Sequence, residues 1–335
     1  MDKKFDFKDI TLVPEILSSI SSRSEIDIFT DEGYLPLMVS PMDTVIDTDN
    51  SFLFKNKGFK ICYPRGVTPF YKGFESVSLD EFEKMVNDKL NLRVSILVDI
   101  ANGHMEKLYN LSKKFIEIYP NSKLMIGNIA NPKTYEKFAE IGVHYIRVGI
   151  GGGSGCLTSA NTGVHYPMAS LIKECYDIKK QWGYETKIVA DGGFRNYDDI
   201  IKALALGSDY VMLGGVLNKT LESCSDTLLF GKFKLSKETA NKFWNKFPFI
   251  RKYLYKEFRG MSTKAVQRKW GKLKLTTSEG VHRMNKVEYT LEGWTENFKD
   301  YLKSSMSYTN SKNLNSFKES EFVFITENAL NRYNK

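Results

Sequence analysis

Apolar runs and amphipathic segments alternate along the first two thirds of the chain. Short runs that are apolar throughout predict buried parallel strands, whereas longer segments with a 3.6-residue apolar period predict helices. The segment 104–119 predicts one such helix, and 131–141 predicts another, with Asn131 as N-cap and Pro132 at the first helical position. The predicted strands span 35–41, 59–63, 74–78, 94–99, 123–129, 144–149, 187–191 and 209–213.

An internal repeat supports this pattern. Residues 137–149 (KFAEIGVHYIRVG) match residues 202–214 (KALALGSDYVMLG) at an offset of 65. Each segment is typical of a helix end, a glycine just past it and a buried strand closed by another glycine. Eight strand–helix units in about 200 residues predict an α/β fold, a closed (β/α)8 or TIM barrel. An open doubly wound sheet is the alternative, although the GxGxxG motif of a dinucleotide fold is absent from the first strand.

The pattern changes after about residue 215. Residues 230–293 are basic, aromatic and weakly periodic, and they are too many for an ordinary loop. We therefore expect a single (β/α)8 barrel domain over residues 1–335. In it, 230–293 form a mobile lid or inserted subdomain after the last strand, and 310–335 form a peripheral tail.

Composition and charge narrow the class of protein. The chain has 335 residues, of which 42% are hydrophobic and 26% charged, and this excludes a disordered chain or a small disulfide scaffold. The net charge of +8 suits an anionic partner, and the densest basic stretch, 247–274, is interpreted as a solvated flap rather than a nucleic-acid surface. Without a long apolar run, a signal peptide core or CxxC spacing, we expect a cytoplasmic protein with no membrane segment and reduced thiols.

The chemistry of a barrel lies at the carboxyl ends of its strands. Asp191 follows the seventh predicted strand, and glycine pairs follow the seventh and eighth, at 192–193 and 214–215. Backbone N–H groups without a nearby Cβ can approach an anion closely, so these pairs predict a phosphate site. Asp191 is predicted to accept hydrogen bonds from ribose hydroxyls, and its alternative role is that of a helix N-cap.

The loop 151–156 follows the sixth predicted strand and has four glycines in six residues. Cys156 ends this loop near solvent and near any ligand, so it is predicted to be a nucleophile rather than a small core residue. Exposed carbonyls in such a loop can also hold a monovalent cation. Cys62 and Cys175 fall within apolar patterns and are predicted to be buried.

These motifs, in this order, resemble those of the IMP dehydrogenase/GMP reductase family over about residues 5–308. Within that family the chain is more similar to the reductases, because it lacks an inserted pair of regulatory domains and an Arg-Tyr dyad in the lid. The matching segments are 22–27 (SRSEID), 40–45 (SPMDTV), 99–103 (DIANG), 127–128 (GN), 151–158 (GGGSGCLT), 161–167 (NTGVHYP), 191–193 (DGG), 212–215 (MLGG), 260–262 (GMS) and 278–280 (SEG).

The resemblance implies NADPH-dependent reductive deamination of GMP to IMP and ammonia. Cys156 would attack C2 of the purine to form a thioimidate, and Thr158 and Glu279 would relay the proton that lets ammonia leave. General acid assistance suits a poor leaving group, and a covalent intermediate separates deamination from reduction.

The resemblance also implies binding residues and a homotetramer. The substrate GMP would contact Ser154, Asp191, Gly192, Gly193, Gly214, Gly215, Gly260, Met261, Ser262, Ser278 and Gly280. The cofactor NADPH would contact Ser22, Arg23, Asp99, Ile100, Ala101 and, from a neighbouring subunit, Ser305 and Tyr308. A potassium ion (K+) would be held by carbonyls of Gly151, Gly153 and Cys156.

Several positions depart from the family pattern. Gly152 replaces a proline, Thr276 replaces an arginine, and 63–65 (YPR) replace a His/Lys-rich turn near the cofactor, which leaves the choice of NADPH or NADH open. The alternatives are an IMP dehydrogenase without regulatory domains, a reductase of a modified purine nucleotide, and a non-catalytic purine nucleotide-binding protein.

Overall fold

A computed structural model describes residues 3–89, 95–261, 263, 268 and 280–333. The strands in this part of the chain are β1 (Ile10–Leu12), β2 (Leu37–Val39), β3 (Lys60–Tyr63), β4 (Phe74–Val77), β5 (Ser95–Asp99), β6 (Leu124–Ile129), β7 (Tyr145–Val148), β8 (Lys187–Asp191), β9 (Tyr210–Leu213), β10 (Thr227–Leu229), β11 (Phe233–Leu235), β12 (Leu254–Arg259), β13 (His282–Lys286) and β14 (Phe322–Phe324).

Helices follow most of the central strands. The α-helices of the described residues are α1 (Ser51–Asn56), α2 (Leu79–Asn87), α3 (Glu106–Ile118), α4 (Pro132–Glu140), α5 (Thr158–Thr162), α6 (Met168–Trp182), α7 (Tyr197–Ala205), α8 (Gly215–Asn218), α9 (Lys237–Lys246), α10 (Leu291–Tyr308), α11 (Leu314–Phe317) and α12 (Glu327–Tyr333). Short 3-10 helices span Phe7–Asp9, Arg23–Glu25 and Pro248–Tyr253.

The strands β2 to β9 form a closed parallel barrel in chain order. Closure is visible at Met38 of β2, which pairs with Lys60 of β3 on one side and with Met212 of β9 on the other. The predicted (β/α)8 barrel is therefore confirmed, each of the eight predicted strands is present, and the open doubly wound alternative is wrong. The predicted N-cap is also confirmed, because the Asn131 side chain accepts from the backbone N–H of Lys133.

Two apolar layers result from the alternation of side chains along the barrel strands. In β2, for example, Leu37 and Val39 pack outward against the helices, whereas Met38 points into the barrel. Both faces are buried, which explains why the strands are continuous apolar runs. The inner layer consists of Met38, Cys62, Phe74, Leu97, Met125, Tyr145, Val189, Tyr210 and Met212.

A partly buried polar cluster lies at the amino-terminal end of the barrel. The Glu32 carboxylate accepts from the ammonium groups of Lys60 and Lys123, each at 2.5 Å. It also accepts from the hydroxyls of Tyr145, at 2.7 and 2.8 Å, and Tyr210, at 2.6 Å. Burial alone would raise the pKa of Glu32, but these donors outweigh it and hold that pKa well below its usual range.

An antiparallel sheet follows the barrel in the order β11-β10-β12-β13. It accounts for much of the weakly periodic segment 230–293, and its small core includes Ala240 of α9 and Leu254 of β12. Residues 262, 264–267 and 269–279 of the predicted lid lie outside the described residues. In the C-terminal tail, β14 pairs with β1, and Lys318 donates to buried Asp209 at 2.7 Å.

Candidate active site

A cavity of about 540 Å³ opens at the carboxyl ends of the barrel strands. Its walls come from the turns after β2, β5, β7, β8 and β9 and from the end of β12, as expected for a barrel site. The predicted site residues on its surface are Asp99, Ile100, Ala101, Gly151, Gly153, Ser154, Cys156, Thr158, Asp191, Gly192, Gly193, Gly214, Gly215, Gly260 and Met261.

Cys156 is half-buried on the cavity wall, and its thiol donates to the Thr158 hydroxyl oxygen across 3.2 Å. Thr158 is the first residue of α5, so the short helix fixes its backbone beside the thiol. Cys62 and Cys175 are fully buried, as predicted, and burial raises the pKa of the Cys62 thiol to about 12. Cys156 is thus the cysteine that combines access to the cavity with a polar neighbour.

The loop that carries Cys156 lies directly against glycine backbones. A Cβ on Gly260 would come within 2.3 Å of the carbonyl oxygen of Gly155. A Cβ on Gly215 would come within 2.4 Å of the Ser154 hydroxyl. The first contact is with backbone, so glycine is required where the antiparallel sheet meets the loop. The second is with a side chain, so Ser154 would have to rotate to admit a Cβ at residue 215.

The segment after residue 279 holds the same loop from the other side. Gly280 forms an isolated antiparallel bridge with Cys156, and Val281 donates its N–H to the Gly155 carbonyl at 3.0 Å. Gly280 itself, a predicted substrate contact, lies beside Cys156. The predicted residues Ser262, Ser278 and Glu279 lie outside the described residues.

Asp191 is held by a polar network that the sequence does not single out. Its Oδ2 accepts from Arg147 Nη2 at 2.7 Å and Nε at 3.1 Å, and from Asn128 Nδ2 at 2.8 Å. The alternative role as a helix N-cap is wrong, because α7 begins after Asn196. One signal was present in the sequence: Arg147 is a charged residue inside an otherwise apolar strand.

Arg147 also connects Asp191 to the predicted cofactor residue Asp99. Its Nη1 donates to Asp99 Oδ1 at 2.6 Å, and the Arg65 Nε lies 4.0 Å from the other Asp99 oxygen. Burial would lower the pKa of Arg147, but the two carboxylates outweigh it and raise that pKa above its usual range. The cavity floor therefore alternates in charge from Arg65 through Asp99 and Arg147 to Asp191.

Four predicted cofactor residues lie away from this cavity. Ser22, Arg23, Ser305 and Tyr308 do not line it. Arg23 instead donates to Ser304 on α10 at 3.1 Å, and Tyr308 near the end of that helix is 65% exposed. Within one chain the structure thus brings together Asp99, Ile100 and Ala101 but not these four residues, whose contact with a cofactor stays a prediction.

Two features are absent from the described residues. No group of three or more His, Cys, Asp or Glu side chains there is arranged to hold a metal ion. Among the same residues, every helix falls short of the length and apolarity needed to cross a bilayer.

The fold and the site define a (β/α)8 barrel protein with a cysteine-bearing glycine loop at the carboxyl ends of its strands. The chain belongs to the IMP dehydrogenase / GMP reductase domain family, whose model matches residues 74–242. It is 28% identical to the GMP reductase of Caenorhabditis elegans over 99% of this chain and 95% of the relative. It is 30% identical to GMP reductase 2 of Bos taurus over 66% and 70% of the two chains, and 26% identical to the GMP reductase of Lactobacillus acidophilus over 97% and 96%.

Proposed function

We propose that this chain is a GMP reductase-like oxidoreductase, which converts GMP to IMP and ammonia with NADPH as the hydride donor. The observation that carries the proposal is the Cys156–Thr158 pair, which lies on the cavity wall together with the glycine turns after β8 and β9. Similarity to proteins named GMP reductase over nearly the whole chain supports the same reaction.

The nucleotide would lie across the carboxyl ends of β8 and β9. The turns at Gly193 and Gly215 would offer backbone N–H groups to its phosphate, because these two residues carry no side chain of their own. Asp191 uses Oδ2 for Arg147 and Asn128, whereas its Oδ1 accepts no hydrogen bond from the described residues. That oxygen would accept from the ribose hydroxyls, because an ionised carboxylate only accepts.

Cys156 would form a bond from Sγ to C2 of the purine. The C2–N2 bond then breaks, and the amino group leaves as ammonia after it gains a proton. Thr158 would supply that proton from its hydroxyl, which lies beside the thiol and takes up the proton that the thiol releases. Glu279 is next in sequence to Gly280, which forms a bridge with Cys156, and it would exchange protons with the Thr158 hydroxyl.

NADPH, when bound, would supply the hydride for C2. Cys156 would leave as a thiolate when the C–S bond breaks, and it would regain its proton through the Thr158 hydroxyl. The cavity residues fit such a group, because Asp99 binds Arg147 through Oδ1, and Oδ2, which lies 4.0 Å from Arg65 Nε, would accept from a ribose hydroxyl. Ile100 and Ala101 continue the same wall. Ser22, Arg23, Ser305 and Tyr308 would contact NADPH across a subunit boundary of a homotetramer.

A potassium ion fits the donor set of the loop, since backbone carbonyl oxygens are the hard ligands that such cations prefer. The Gly151 carbonyl accepts from Ser159 Oγ at 3.0 Å and the Gly153 carbonyl from the Cys156 N–H at 2.9 Å, and each keeps a second lone pair. Together with the Cys156 carbonyl they would hold the ion, which would fix the loop and so orient the thiol. We propose a cytoplasmic location for the enzyme.

Absorbance at 340 nm tests the proposal with purified protein. Loss of NADPH absorbance that requires GMP, with release of ammonia, is the expected result. Gain of NADH absorbance with IMP would support a dehydrogenase instead, and GMP binding without either change would support a non-catalytic binding protein. Activity with a modified purine nucleotide but not with GMP would support a reductase of that nucleotide instead.

The Cys156→Ala variant supplies the mechanistic arm of this experiment. Turnover should disappear while GMP binding, measured by calorimetry, stays within about threefold. Cys224→Ser is the matched control, because Cys224 is also half-buried but bonds to the Asp43 carbonyl outside the cavity. Normal turnover in Cys156→Ala would overturn the covalent mechanism.

A further inference from the structure

The guanidinium group of Arg147 forms part of the cavity floor, with only 7% of its side chain exposed. Each of its three nitrogens donates to a carboxylate: Nη1 to Asp99, and Nη2 and Nε to Asp191. The two acids come from the ends of β5 and β8, on either side of β7, which carries Arg147. A single planar guanidinium group therefore binds two acids that lie on different strands.

The neighbourhood of Arg147 is built for this placement. A Cβ on Gly127 would come within 2.5 Å of the Arg147 Cβ, so glycine at that position lets β6 pack closely against the arginine. Asn128 follows and donates at 2.8 Å to both Asp191 Oδ2 and the Gly149 carbonyl, which fixes the side of the carboxylate that Arg147 also binds.

The contacts of Arg147 with two acids of the cavity favour a role in the site over a role in stability alone. Replacing buried ion pairs by apolar residues is often neutral or stabilising, so a buried arginine with two acid partners is weak evidence for a stability role. Both partners of Arg147 line the cavity, and each keeps one oxygen that Arg147 does not bind. The arginine thus sets where the remaining oxygen of each acid points.

We propose that Arg147 is a positioning residue that orients Asp191 toward the nucleotide ribose and Asp99 toward the cofactor ribose, and so links the two binding sites. This inference rests on the proposed function for the identity of the two ligands. In this proposal Arg147 acts through the two carboxylates rather than on the reacting atoms.

The test compares GMP with 2′,3′-dideoxy-GMP, which lacks the ribose hydroxyls, by calorimetry. The wild type should bind GMP roughly 10- to 100-fold more tightly, because hydrogen bonds to a charged acceptor are strong. Arg147→Gln should lower this preference to within about threefold and should also weaken NADPH binding about tenfold. Asp191→Asn should lose only the ribose preference, and Asp99→Asn should weaken only NADPH binding.

A double variant gives a second measurement, because two changes that act through the same carboxylate should not have additive effects on the ribose preference. If Arg147 acts through Asp191, the Arg147→Gln/Asp191→Asn double variant should lose no more ribose preference than Asp191→Asn alone. Lys60→Met is the matched control, since Lys60 is a buried cation that pairs with Glu32 at the opposite end of the barrel. It should lower the melting temperature and leave the ribose preference unchanged.

Each outcome decides the matter. A folded Arg147→Gln variant that keeps its ribose preference and its NADPH affinity overturns the proposal. If that variant does not fold, Arg147→Lys replaces it: a single ammonium should keep one of the two preferences and lose the other, and retention of both overturns the proposal. GMP binding without turnover in the wild type would refute the reductase alone, whereas a wild type that binds neither ligand would refute both ideas.

Discussion

The guanidinium group of Arg259 donates to both carboxylate oxygens of Asp43, at 3.2 Å from Nε and 2.8 Å from Nη2. Arg259 ends β12, one residue before Gly260, and Asp43 lies at the barrel rim after β2. This bidentate pair joins the antiparallel sheet that contains β12 to the barrel, next to the contact between Gly260 and the Cys156 loop. The hydrogen bonds with Asp43 raise the pKa of Arg259.

Asp43→Asn should therefore affect activity as well as stability. The variant keeps the shape of the side chain but loses the charge-assisted pairing, so we expect a stability loss of about 1–2 kcal/mol. We also expect kcat to fall about tenfold, because the Cys156 loop loses a fixed neighbour. Thermal melting and steady-state kinetics measure the two effects. Glu140→Gln removes an exposed pair with Lys137 and should change neither quantity; unchanged kcat in Asp43→Asn would disprove the coupling.

Thr158 should contribute to the chemical step rather than to binding. Thr158→Val removes the hydroxyl that accepts from Cys156, and kcat should fall by about 10²–10⁴ while the Kd of GMP changes little. Thr158→Ser restores the hydroxyl and should recover most of the activity. Equal activities in the Val and Ser variants would remove Thr158 from the proton relay.

The four thiols should differ in their reaction with iodoacetamide. Cys156 faces the cavity, whereas Cys62 and Cys175 are fully buried, and burial raises the pKa of Cys224 to about 12. Cys156 should be alkylated first, and GMP should slow that reaction. Peptide mass spectrometry of native protein after brief exposure reports the order. Labelling of Cys62 or Cys175 ahead of Cys156 would contradict the described placement of the loop.

The packing of the glycine loop makes opposite predictions for two glycines. Gly260→Ala places a Cβ 2.3 Å from a backbone oxygen of Gly155, so the loop must shift and activity should fall about 100-fold. Gly152→Ala meets nothing closer than the Gly193 nitrogen at 3.5 Å, an ordinary contact. That variant should retain activity within about threefold. Kinetics of both variants decide the question, and an active Gly260→Ala variant would refute the proposed tight contact.

Glu32 should make stability depend on pH at the acid end. Its pKa is lower in the folded chain than the ordinary 4.5, so its contribution is present above pH 4.5 and is lost as the pH falls through the lowered value. Glu32→Gln should therefore unfold more easily at pH 7, by about 2 kcal/mol, since four donors lose a charged partner. The difference from the wild type should shrink steadily below pH 4.5. Urea melts at a series of pH values measure it; a constant difference would exclude the ionised carboxylate as its source.

The barrel was predictable because its signal is local. Each strand is a short apolar run, and glycines such as Gly142 and Gly207 take positive φ values where helices end, as their positions indicate. Cys156 and the glycine turns were predictable for a related reason: strands that run parallel bring their carboxyl ends to one edge.

The polar network under the site was not predictable from local pattern. Arg147, Asn128 and Asp191 are distant in sequence, and their contacts depend on side-chain directions in the closed barrel. The antiparallel sheet of β10 to β13 could not be predicted for a similar reason. Its antiparallel pairing joins β10 to β12 and β12 to β13 across long connections, so no short segment shows a clear period.

The Glu32 cluster and the active-site cavity lie at opposite ends of the barrel, with the packed inner layer between them. Changes at Glu32 should therefore lower the thermal stability of the chain while the cavity keeps its shape. In this fold, durability and catalysis can be tuned separately.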